Sequence, residues 1–378
     1  MTDTAPMAIS PEVEARGRSL WQDAWIRLRR NRAAVASALV LLLLTFAAIF
    51  GPMISPHEHS RIYPQFVRVP ASLEAYPRAE TILPGLEREI TRARLSGIAG
   101  EPELDGSSLT VPLTASEPID ERVIRYFERS DLFRTAQLDL APDGQSGALN
   151  LTVDRHYFLF GTDALGRDVM SRIFIGLRVS LSIGLLASIM ALVLGVAYGA
   201  TAGYLGGRID NIMMRVVDIL YSLPFIFFVI LMVVFFGRSI FIIFIAIGAT
   251  EWLDMARIVR GQTLSLKRQE FVQAAEALGA TRSGILRRHI IPNTLGPVIV
   301  FVTLLVPKAI LLESLLSFLG LGVQEPLTSL GMLISEGAAN MRGASWLLLW
   351  PALTLTTLLF ALNFLGDGLR DSLDPKDR

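Results

Sequence analysis

Two ionisable side chains, Lys308 and Glu313, interrupt the apolar run Asn293–Leu319, and Ser314 and Ser317 follow Glu313 at i+1 and i+4. A charge inside a membrane-length segment is costly and marks a solute path, a proton relay or a contact with another polar surface. Lys308 and Glu313 are five residues apart, about 140° around a helix, so they do not pair on one face. Pro307 can kink the helix and free a carbonyl, which suits a segment lining a polar cavity. Lys308, Glu313 and Ser317 are therefore candidate pore-lining residues, with Glu313 expected to face the lumen; the alternative is a buried polar contact with a partner chain. Asp218, Glu251 and Asp254 lie at the ends of other apolar runs and are expected at the membrane interface.

Other chemistry is largely excluded. The chain has no cysteine, so disulfides and thiolate metal sites are impossible. Its four histidines are His57, His59, His156 and His289. The first three share one polar segment, where solvated loop side chains are expected rather than a metal site. No G-x-x-x-x-G-K-[ST], H-E-x-x-H or G-x-S-x-G is present. The chain therefore cradles no nucleotide phosphate and carries no recognisable catalytic constellation or cofactor. Lys+Arg and Asp+Glu both number 35, a zero net charge without a nucleic-acid footprint.

The elements that must position these residues are membrane helices. The 378 residues are 52% hydrophobic, and the excess is gathered in long uncharged runs. Residues 1–32 carry Arg16, Arg18, Arg27, Arg29, Arg30 and Arg32, with Trp21, Trp25 and Leu28 at helical spacing, as an interfacial amphipathic helix does. Residues 33–56 are too long for a signal-peptide core and read as a first span. Further spans are expected at Val179–Tyr204, Ile219–Phe236, Ser239–Thr250 extended through Trp252, Asn293–Leu319 and Ala344–Leu365. Six spans with both termini in the cytoplasm place 18 Lys+Arg in the inner segments 1–32, 205–217, 255–292 and 367–378. Each short outer segment then holds one, Arg238 or Arg342. The fold class is an all-α polytopic membrane protein of six transmembrane helices with a small extracytoplasmic α+β insertion.

That insertion, residues 57–160, shows helical spacing over Leu86–Ile98 and Asp120–Phe133. It alternates like half-buried strands at Leu109/Val111/Leu113 and Leu149/Leu151/Val153. Residues 161–178 are expected to form a short helix on the outer surface, capped by Asp163 and laced by the i,i+4 pairs Asp163/Arg167 and Asp168/Arg172. The core spans 179–366, and 367–378 is a tail. LGLGVQEP, 319–326, is a turn; 327–342 re-enters as a short helix or packed loop.

Within the inner segment 255–292, Phe271–Pro292 stands out. Ala274, Ala275 and Leu278 lie at helical spacing, Gly279 breaks the helix, a second helical run follows and Pro292 closes it. Two short helices about a glycine elbow suggest a docking knob.

These segments together resemble the inner-membrane permease subunits of binding-protein-dependent ABC importers. The elbow is similar to that family's cytoplasmic loop, E-A-A-x3-G-x9-I-x-L-P. Ala274, Ala275, Gly279 and Pro292 match at the right spacing, while Gln273, His289 and Ile291 depart from it. GTDALGRDVMSR, RHIIPN, SFLGLGVQEP and GDGLRDSLDPKDR resemble the peptide/nickel group. GRSLWQDAWIRLRRNRAAVAS and LDMARIVRGQTLSLKRQEF resemble C-type subunits of oligopeptide permeases. The likeness covers residues 16–56 and 157–378; the stretch 57–156 departs from the family's usual shorter loop. The resemblance implies a non-catalytic subunit of the bacterial inner membrane whose elbow couples to ATPases. It also implies a second homologous permease completing a heterodimeric pore, two cytoplasmic ATP-binding subunits and a periplasmic peptide-binding protein. Dipeptides, nickel or another peptide-like solute are the alternative cargo. A stand-alone channel or ion-coupled transporter is the rival from another class.

Overall fold

The computed structural model describes residues 20–95 and 100–373. Arg16, Arg18 and the last residues of the expected tail lie outside the described residues. Helix α1 (Leu20–Arg30) breaks for one residue at Asn31 before α2 (Arg32–Ile54). The Asn31 side-chain oxygen, Oδ1, accepts from the amides of Ala33 and Ala34, an N-cap that restarts the helix as the membrane-length run begins.

The helical body comprises α5 (Val169–Leu205), α6 (Gly207–Tyr221), α7 (Phe225–Phe236), α8 (Ile240–Leu266), α9 (Glu270–Ala277), α10 (Arg282–Ile285), α11 (Ile291–Phe318), α12 (Leu330–Ala339) and α13 (Trp346–Leu373). Ahead of it stands an α+β unit with α3 (Ala79–Ala93) and α4 (Ile124–Glu128). Among the described residues, four helices are long and apolar enough to cross a membrane: α2, α5, the run Arg282–Phe318 and α13. The pair α6 and α7, bent by 81°, makes a fifth if taken as one span. Helix α8 has 27 residues but carries Glu251, Asp254, Arg257 and Arg260.

Four expectations change here. Residues 161–178 form no separate surface helix. Residues 161–168 turn tightly, and α5 then runs unbroken for 37 residues. Its cap is Asp168, whose carboxylate accepts from the Ser171 amide and hydroxyl, rather than Asp163. Asp163/Arg167 pairs as expected at 2.7 Å, but Asp168/Arg172 does not form. The run Ile219–Phe236 is broken at Ser222–Pro224. Pro224 cannot donate to the helix and precedes α7, while α6 upstream is amphipathic.

Helix α5 meets α8 along Gly195, Gly199 and Gly203. A Cβ on these glycines would overlap Met255, the Ala256 carbonyl and the Arg260 carbonyl in turn. Glycine every fourth residue lets the two backbones touch, the small-residue device of membrane helix pairs.

The α+β unit has strands β1 (Glu103–Asp105), β2 (Ser108–Thr114), β3 (Phe133–Leu140) and β4 (Ser146–Val153). They form one antiparallel sheet of order β1-β2-β4-β3. Leu109 faces Leu151 and Val111 faces Leu149, so the alternating apolar positions share one side. They pack on Ile82, Leu86 and Ile90 of α3 and on Phe127. The expected alternation at Leu109–Leu113 and Leu149–Val153 is therefore real. The expected helix Asp120–Phe133 shrinks to a 3-10 turn and α4, and β3 replaces its end. His57 is buried rather than solvated; its Nδ1 lies 2.9 Å from the Tyr63 hydroxyl and its ring stacks on Phe158.

Candidate functional site

The elbow is built by capping on both sides of one glycine. At the end of α9, the Ala280 amide donates to the Ala275 carbonyl and the Gly279 amide donates to the Glu276 carbonyl. This is the Schellman pattern, and it requires Gly279 in its left-handed conformation, φ +78°. Thr281 then caps α10, its hydroxyl accepting from the Gly284 amide. Val272, Ile285 and Ile290 are buried against Tyr204 of α5, Met255 and Val259 of α8, and Val298 of α11. Tyr204 also donates to Glu276 at 3.0 Å, and Lys267 donates to the Tyr204 carbonyl at 2.6 Å.

The opposite face of α9 is exposed, apart from the Phe271 ring beside His289. Phe271, Ala274 and Leu278 are exposed at i, i+3 and i+7, and Leu278 is 88% exposed. Ala274, Ala275 and Gly279 thus share one knob. Pro292 lies beyond it, at the start of α11. There Leu286–Ile290 forms a π turn, and the Ile291 amide reaches back five residues to Leu286. A wider turn beside a proline absorbs a residue without ending the helix.

The residues expected in the pore separate into two places. Glu313 and Ser317 are buried, 0% and 1% exposed, inside this one chain. Glu313 accepts from Ser180 of α5 at 3.0 Å and from Ser317 at 2.7 Å, while Ser317 lies 3.1 Å from Ser329 at the cap of α12. Glu313 therefore ties α5, α11 and α12 together, where an open lumen-facing position was expected. Three hydroxyls in reach are what a buried carboxyl needs.

Lys308 instead sits on an exposed side, its side chain 49% accessible, 2.8 Å from Glu251 and 3.2 Å from Asp254. Next along α8, Arg257 pairs with Asp218 at 2.9 Å and covers the Tyr221 ring. Glu251, Asp254 and Arg257 recur every three residues, so one stripe of α8 is charged. That spacing was present in the sequence; its pairing with Lys308, over fifty residues away, was not.

A further charged cluster escaped the sequence reading. Asp163 accepts from Arg167 and from Arg172 at 2.6 Å, Arg167 reaches Glu325 at 2.7 Å, and Arg172 grips Glu336 through two nitrogens at 2.7 and 3.0 Å. It fastens the N-terminal end of α5 to the loop after α11 and to α12. Beside it, burial pushes the Asp168 carboxyl up, against the Ser171 hydrogen bonds. In the α+β unit, burial holds His156 below the usual imidazole range, opposed by Asp154. Among the described residues no group of three metal-ligating side chains occurs.

Residues 191–378 match the family described as binding-protein-dependent transport system inner membrane component. Residues 19–70 match the N-terminal transmembrane domain of oligopeptide transport permease C. The chain is 46% identical to the oligopeptide transport system permease protein OppC of Escherichia coli K12, over 98% of this chain and 95% of that one. It is 42% identical to OppC of Haemophilus influenzae, over 97% and 92%. It is 37% identical to the dipeptide transport system permease protein DppC of Bacillus subtilis, over 95% and 87%. A solved inward-facing MetNI methionine ABC transporter chain is 18% identical with TM-score 0.45, covering 52% of this chain and 94% of that one. On the sequence matches, the chain belongs to the oligopeptide-transport permease C family of binding-protein-dependent inner membrane components.

Proposed function

We propose that this chain is the non-catalytic half of the transmembrane path of an ATP-driven oligopeptide importer, coupled to cytoplasmic ATPases through residues 271–292. The observation that carries the reading is 46% identity across 98% of the chain to an oligopeptide permease. The elbow supports it physically. A capped, rigid knob that presents Phe271, Ala274 and Leu278 outward is what a docking element needs. Gly279, Ala274 and Ala275 set its shape, and Pro292 sets its exit into α11.

In this reading the chain crosses six times, with the bent α6–α7 pair as the third span and α8 as the fourth. Both termini are cytoplasmic, and residues 57–160 lie outside. A second homologous permease forms the other half, two ATP-binding subunits grip the two elbows, and a periplasmic peptide-binding protein delivers cargo to the outer face. Lys308 lines the path; Glu313 and Ser317 are its internal polar tie. Charged stripes at membrane depth belong on a polar cavity or another subunit, not in lipid.

Leu278→Asp tests the elbow, because an exposed side chain can change without disturbing the core. Expected is loss of ATPase co-purification and of binding-protein-stimulated uptake, with the chain still inserted. Unaltered co-purification and uptake would end the coupling role. Dipeptides are a second reading, favoured by the 37% identity to a dipeptide permease. Competition by dipeptides against longer peptides in reconstituted uptake separates the two.

A further inference from the structure

The charged stripe of α8 and α11 offers more than a polar wall. A hollow of about 370 Å³ opens there, lined by Asp254, Arg257, Phe301, Leu304, Leu305 and Lys308 among others. Most of its wall is apolar, and Lys308 brings an ammonium to its edge with half the side chain accessible. Glu251 is buried and sits behind that ammonium at 2.8 Å, so it fixes the cation in place. Asp254 is the more accessible carboxylate, 28% exposed, and the more distant at 3.2 Å. Asp254 accepts a hydrogen bond from one of the ammonium's three donors, while Glu251 faces the same ammonium as an ion pair.

An oligopeptide of any sequence carries two charges that do not depend on its side chains: a terminal ammonium and a terminal carboxylate. A fixed cation on a path for varied peptides can recognise only the second of these. We infer that Lys308 receives the terminal carboxylate of a peptide in transit, with Asp254 as the resident carboxylate that the peptide displaces. Glu251 is a positioning residue, since it acts through Lys308. The inference rests on the reading of the chain as one wall of a peptide path, and names the part of the cargo that wall touches.

The test uses the full complex in vesicles, with the second permease, the ATPases and the binding protein. Uptake of one pentapeptide is compared with uptake of its C-terminal amide, each saturating the binding protein. Removing Lys308 alone leaves Glu251 buried and unpaired, so the pair is neutralised together as E251Q/K308Q. The acid-to-amide uptake ratio is expected to fall about tenfold, the scale of one charge-assisted hydrogen bond, and K308R is expected to keep the wild-type ratio. Equal losses for both peptides, or an unchanged ratio, overturn the inference. D254N supplies an independent arm if the double variant does not assemble. It removes the competing carboxylate, so the ratio should rise, and no rise overturns the inference. If the wild-type complex moves neither peptide, the oligopeptide reading itself fails and takes this inference with it.

Discussion

The two ends of α5 are held in opposite ways. At its N-terminal end Arg172, 3% exposed, is locked between Asp163 and Glu336, with Arg167 bridging to Glu325. At its C-terminal end Tyr204 meets the elbow through an apolar cluster and one hydrogen bond to Glu276. A helix of 37 residues separates them by about 55 Å. The first end spends its polar groups on the chain itself. The second leaves an apolar stripe on α9 uncovered. One end is tied by charge within this chain, and the other leaves apolar side chains exposed.

The contrast is sharpest at Arg172. Arg172→Met should destabilise the protein by about 3–5 kcal/mol, because two carboxylates lose a buried partner. Thermal unfolding in detergent reads this directly, and a loss near zero would mean that the clamp is only decorative. Tyr204→Phe, at the other end, removes one hydrogen bond and should cost about 1 kcal/mol. Gly279→Ala should cost a similar amount, about 1–2 kcal/mol, because φ +78° disfavours any side chain even where space is open. Its hydrogen-exchange signature should stay confined to α9 and α10. A global change would erase the distinction between the ends.

The α+β unit beside the clamped end should respond to pH. Burial depresses the His156 pKa, so this group's contribution to stability is fully present above the unfolded imidazole value of about 6.5 and is lost as pH falls through the folded value. Protection of the Tyr76 amide, which donates to the His156 carbonyl, should fall relative to its intrinsic exchange rate as pH drops below about 6.5. His156→Phe should flatten that response. Leu278→Asp should be the smallest effect on stability, within about 0.5 kcal/mol, although it is the change expected to abolish ATPase docking.

Much of this contrast is readable in the residues. The elbow was legible because Ala274, Ala275 and Leu278 at helical spacing and the helix-breaking Gly279 are local signals. The strands around Leu109 and Leu149 were legible because one side of the sheet is buried and the period of two survives. The clamp was not, because Arg172 has two apparent partners at short range and chooses Asp163 and the distant Glu336. The break before α7 was hidden by hydropathy that runs on across Pro224. Glu313 shows the same limit. Its charge marked it as special, but only Ser180, far away in the chain, reveals that it faces inward. The seam of Gly195, Gly199 and Gly203 carried a four-residue period that does announce a close helix approach.

That seam has a mechanical consequence. With no Cβ on α5 at these three positions, that helix backs directly onto Met255 and the Ala256 and Arg260 carbonyls of α8, so the pair behaves as a single plank. Towards α11 the plank carries both apolar packing, Met255 and Val259 beside Val298, and an ion pair between Lys308 and two carboxylates that can lengthen, rotate and exchange partners. The plank is set by close packing, and the contact beside it partly by charge.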